Sequence, residues 1–172
     1  MGAVALGAAA LLLLAGCTST PAPTDQITNT AAVSLGDADD YAHTVFDLIN
    51  AQRESAGLPA VAWNDCLAAE AAGRAANTLD EEVLSHEPLA AGCSPGANRI
   101  GENLARTWQA PQGMVELWLN SASHKDNLLG SGWAVSGVGC VAYSFADTSV
   151  EAAAGEAVGG MACSQLFEGT GD

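Results

Sequence analysis

Four cysteines, Cys66, Cys93, Cys140 and Cys163, constrain the fold of this chain more than any other feature. A fifth, Cys17, closes an apolar leader and stands apart from them. No two are spaced C-x-x-C, so a thiolate metal site is disfavoured. An even number of cysteines in an exported chain points to disulfides, and four allow three pairings. Cys140 and Cys163 fall on neighbouring strand-like runs, residues 134–145 and 159–167. That favours the pairs Cys66–Cys93 and Cys140–Cys163, each adding about 2–4 kcal/mol.

The leader supplies the reason to expect export. Residues 1–16 are almost purely Gly, Ala, Val and Leu. The run is shorter than the ~20 residues of a membrane-spanning helix and fits the apolar part of a secretion signal. It ends Leu14-Ala15-Gly16-Cys17, which resembles the cleavage box of bacterial lipoproteins. The resemblance implies that Cys17 becomes a lipidated first residue. Two or more acyl chains, palmitate among them, would then hold the protein stably at the membrane. No Lys or Arg precedes the run, a departure read here as a start codon assigned too late. The bland alternative is a plain secretion signal with an incidental cysteine. After Cys17 the chain is rich in Thr, Pro, Ser and Ala up to residue 36. Residues 17–36 therefore read as a flexible tether, reaching roughly 60 Å at about 3.3 Å per residue.

Charge excludes one class of partner. The chain carries 20 acids against 5 bases, a formal charge of −15. Arg53, Arg74, Arg99, Arg106 and Lys125 are scattered singly, whereas nucleic-acid binding needs clustered cations. The 172 residues, 49% of them apolar, suffice for one domain with a real core.

Residues 37–56 open with acids, show helical apolar spacing and stop at Gly57 before Leu58-Pro59. His43 on this helix reads as a surface residue. Asn64 or Asp65 caps a second, Ala-rich helix to Asn77, inside which Gly73 costs about 1 kcal/mol unless a packing contact explains it. Residues 84–88 read as the end of a short helical piece, placing His86 near a helix terminus. Gly101-Glu102-Asn103 reads as a tight turn, with Gly101 allowing an unusual backbone angle. Pro111 opens a helix whose apolar side is Met114, Val115, Leu117, Trp118 and Leu119. Residues 120–124 turn the chain. The two strand-like runs follow, separated by an acidic loop or short helix at 147–156, and the chain turns polar from Glu168.

LINAQRESAGLPAVAWND, SHEP, IGENLA, WLNSASHKDNLL and GWAVSGVGC occur in this order. Together they resemble the CAP domain of cysteine-rich secretory proteins, antigen 5 and plant pathogenesis-related proteins, in its compact bacterial branch. The likeness spans residues 37–167, so the domain is placed at 37–168 with a tail at 169–172. It implies an α+β fold, a three-layer α-β-α sandwich with a central, mainly antiparallel sheet. It also implies a cavity lined by His86, Glu102 and His124. A second acid of the family's tetrad would fall at Ser121, three residues after Trp118, so the set is three-quarters present. Glu116 lies on another side of its helix.

Two imidazoles and a carboxylate could hold a divalent metal such as zinc, or form a hydrogen-bonded network in which Glu102 orients the histidines. No H-E-x-x-H helix is present. A Ser121–His124–Asp126 triad is rejected, because the three lie on one short segment and Ser121 sits in no G-x-S-x-G elbow. The favoured expectation is a non-enzymatic envelope module, with a lipid, a cell-wall fragment or an envelope protein as its ligand. The alternative is a metal-dependent hydrolase of envelope peptides or peptidoglycan.

Overall fold

The computed structural model describes Gly2 and residues 35–81, 83–90, 92–146 and 157–170. The rest of the leader, Cys17, most of the tether and the loop at 147–156 lie outside the described residues. The elements in order are α1 (Ala38–Ser55), β1 (Ala62–Trp63), α2 (Asp65–Asn77), β2 (Arg99–Thr107), α3 (Pro111–Leu119), α4 (Ala122–Leu128), β3 (Trp133–Ala146) and β4 (Ala157–Gly169). A single 3-10 turn, Thr78–Asp80, follows α2.

Local chemistry fixes the helix ends. The Asp37 carboxylate accepts the amides of Asp39 and Asp40 and caps α1. Gly57, at φ 74°, ends it in the left-handed region. The Asn64 side chain accepts the amide of Leu67 and caps α2. Arg53 is fully buried at the end of α1. It donates to the carbonyls of Pro59, Leu128 and Gly130, which pins α1 to the far end of α4.

The four strands run in the order β1-β3-β4-β2, with β1 parallel to β3 and the other pairs antiparallel. One face carries α1, α3 and α4 over the main core, built around Tyr41, Val45, Ile49, Met114, Trp118, Trp133 and Phe167. The other face carries α2, packed through Leu67 and Ala71 on Leu166. The layering is the three-layer sandwich expected from the resemblance.

Two glycines set the distance of that second layer. A Cβ at Gly137 would lie 2.2 Å from the Ala68 amide nitrogen, and one at Gly139 2.0 Å from that of Ala72. The Ala-rich face of α2 therefore rests directly on the β3 backbone. Gly73 has no such reason: it is exposed and a Cβ there meets nothing within 4 Å. Gly73→Ala should accordingly raise stability by about 0.5–1 kcal/mol, read by thermal denaturation. An unchanged or lower melting temperature would contradict this.

Both expected disulfides are present. Cys140 and Cys163 are directly opposed on β3 and β4, and Cys66 in the first turn of α2 joins Cys93. Several local expectations differ. Gly101-Glu102-Asn103 lies inside β2 rather than in a turn, and Gly101 has an ordinary backbone angle. Its lack of a side chain instead admits the Trp133 ring, 3.0 Å from where a Cβ would sit. Residues 84–88 are irregular rather than helical, because side chains and not a backbone ladder hold them. Residues 120–124 do not simply turn: α4 begins at Ala122 and contains His124. Leu117 is exposed, whereas Met114, Val115 and Trp118 are buried. Glu168, where the chain turns polar in sequence, is fully buried in β4, where it accepts the amides of Gly92 and Cys93.

Candidate functional site

β2 is an outer strand of the sheet, and the site is built around its free edge. The Glu102 side chain lies on the α2 face, where Ser164, on β4, donates to its Oε1 at 2.9 Å. The Glu102 carbonyl accepts Asn127 Nδ2 from α4 at 2.9 Å. Asn127 also donates to Asn103 Oδ1, and Asn103 donates to the His124 carbonyl. His124 and Asn127 are three apart on α4 and share a face. These amide contacts dock α4 against the strand that bears Glu102.

Glu102 is the centre of the arrangement. Its side chain is 1% exposed. Arg74, from the last turn of α2, grips both oxygens through Nε and Nη2. The same guanidinium donates to the Glu87 carbonyl at 3.0 Å. His86 Nδ1 lies 2.7 Å from Glu102 Oε2. Burial alone would raise the carboxyl's pKa. The hydrogen bonds from Arg74, His86 and Ser164 and the charge of Arg74 outweigh it and hold Glu102 below the ordinary carboxylate range.

His86, Glu102 and His124 line one open cavity of about 400 Å³, with Glu87, Leu89, Ser123 and Asn127. The His86 side chain is 54% exposed. Burial, and then the neighbouring His86, depress the pKa of His124 and favour its neutral ring. Ser121 does not line the cavity. It holds the N-cap position of α4 without a capping bond, and its hydroxyl lies 3.3 Å from that of Ser123. The hydroxyl in the cavity is that of Ser123.

The donor set does not fit a divalent cation in this arrangement. Among the described residues no three His, Cys, Asp or Glu side chains are grouped to hold one. A guanidinium already occupies both oxygens of Glu102. Arg74 is the residue that motif reading missed. Its signal was present: one base, of only five in the chain, in the last turn of an alanine-rich helix. The H-x-x-N spacing at His124 and Asn127 was equally visible.

A sequence model of the cysteine-rich secretory protein (CAP) family matches residues 46–154. The chain belongs to that family. YkwD of Bacillus subtilis (strain 168) is 28% identical over 134 residues, 72% of this chain and 52% of that protein. The chain thus spans about half the length of this curated relative. An extracellular SCP-domain protein of Bacillus anthracis shares the fold at a TM-score of 0.58 and 24% identity, over 77% of this chain and 41% of its own. An outer surface protein of Borrelia burgdorferi does so at 0.56 and 19%, over 78% and 96%. In this CAP domain no described helix is long and apolar enough to cross a membrane.

Proposed function

We propose that this CAP domain is an extracytoplasmic binding module, tethered to the membrane through a lipidated Cys17. It would take a lipid, cell-wall or protein ligand in the cavity of His86, Glu102 and His124. The observation that carries this reading is the Arg74–Glu102 ion pair. A carboxylate gripped by a guanidinium and held below its ordinary range is a weak general base. Its role is to fix His86, leaving imidazole edges, the Ser123 hydroxyl and Leu89 to face a guest. A volume of about 400 Å³ is within the range of small-ligand sites. The extracellular and outer-surface relatives support the location.

The alternative is a metal-dependent hydrolase of envelope peptides or peptidoglycan. It would require Glu102 to leave Arg74 first. The test is to incubate the purified protein with peptidoglycan, lipid vesicles and casein. Saturable retention without turnover is expected. Replacing His86 and His124 together by Ala should weaken it at least tenfold, about 1.4 kcal/mol. Turnover that disappears in the Glu102→Gln variant would sink the binding reading. Mass spectrometry of membrane-extracted protein tests the anchor, and an unmodified Cys17 would exclude it.

A further inference from the structure

From the geometry we infer that Cys66–Cys93 is a redox-operated latch on the segment that carries His86. A thiol reductant would loosen the His86–Glu102 contact while the sandwich stays folded. As a regulator of the cavity the latch rests on the binding reading, although its test needs no ligand.

The two disulfides lie in different surroundings. Cys140 and Cys163 are 5% and 0% exposed and belong to the main core. Cys66 is exposed and Cys93 half-buried. A dissolved thiolate can reach the second bond and not the first. The accessible bond also spans the relevant chain. Its ends are 27 residues apart in sequence, and both Arg74 and His86 lie between them.

Between Glu81 and Asn98 the described residues form no helix or strand. The segment is held at separate points. Arg106 takes the Glu81 carbonyl, Arg74 the Glu87 carbonyl and Glu102 the His86 ring. Glu168 takes the amides of Gly92 and Cys93, and the Asn98 amide donates to Gly169. The disulfide is the only covalent tie among these described points.

The chemistry balances with a dithiol as reductant. Its thiolate attacks the sulfur of Cys66, the more exposed residue of the pair, the S–S bond breaks, and Cys93 leaves as a thiolate that takes a proton. Glu70 Oε2 lies 3.9 Å from Cys93 Sγ and can accept the new S–H. The second thiolate of the reductant then attacks the mixed disulfide and releases Cys66, which takes a second proton. Two electrons pass to the cystine, and the reductant departs as its own disulfide.

The test treats the full-length protein with dithiothreitol, alkylates it under native conditions and maps the modified cysteines by peptide mass spectrometry. Cys66 and Cys93 should react at least about tenfold faster than Cys140 and Cys163. Amide exchange across residues 83–98 should accelerate about tenfold while β4 is unchanged. The ring-nitrogen NMR signals of His86 should move at the same time. The Cys66→Ser/Cys93→Ser variant should reproduce both changes without reductant. Should that variant fail to fold, the reduced and alkylated wild type still decides. Simultaneous reaction of all four cysteines overturns the inference. So does unaltered exchange and an unmoved His86 signal once Cys66 and Cys93 are alkylated.

Discussion

Arg74→Ala is expected to lower the stability of the domain by about 3–5 kcal/mol, the usual result of stripping the partner from a buried charge. Glu102 would keep His86 and Ser164 but lose both guanidinium bonds, in a site where its side chain is 1% exposed. The melting temperature should fall by roughly 10–20 °C for a domain of this size. The pH dependence should change as well. Glu102 is held low in the fold, so its contribution is complete above the unfolded value of about 4.3. That contribution is lost as pH falls through the lower folded value. Without Arg74 the folded pKa rises toward the unfolded one, and stability should depend less steeply on pH in acid. Urea melts at several pH values measure both effects. A variant as stable as wild type, with the same acid slope, would show that the ion pair does not organise the site.

Gly139→Ala is the second large effect. The added methyl would sit 2.0 Å from the Ala72 amide nitrogen and 2.5 Å from the Ala68 carbonyl oxygen. Both are helix backbone, so no side chain can swing aside and α2 must lift from the sheet. The expected cost is at or above the roughly 3 kcal/mol end of overpacking. Because Arg74 rides on α2, lifting the helix should also disturb the Arg74–Glu102 contact and move the His86 ring signals. A near-neutral Gly139→Ala, by equilibrium denaturation, would mean that α2 does not rest on β3 as closely as described. The contrast with Gly73→Ala is the sharper test: two glycine-to-alanine changes in one helix–sheet layer, with opposite signs.

The late strands were legible because alternation and the facing cysteines needed no distant information: Cys140 and Cys163 pair across β3 and β4. The first two helices were legible from Asp37, Asn64 and Gly57, whose capping and stopping roles are local. β2 was harder. Gly101-Glu102-Asn103 looks like a turn, and only its pairing with β4 makes it a strand. Glu168 looked like the start of a polar tail, because nothing nearby in sequence announces the loop amides that take its carboxylate.

The site divides in the same way. His86, Glu102 and His124 could be named from family motifs, but their motifs say nothing about what Glu102 does. Arg74 decides that, and it is 28 residues away in sequence. The sequence alone determined the helix boundaries at their caps, the acidic charge balance and the family, and it favoured one of three cysteine pairings. The tertiary structure decided that Glu102 is spent on an internal cation, that two glycines seat α2 on the sheet, and that one disulfide is open to solvent and the other is not. Caps and periodicity are short-range and read along the chain, whereas ion pairs, close approaches and solvent access exist only once distant segments meet.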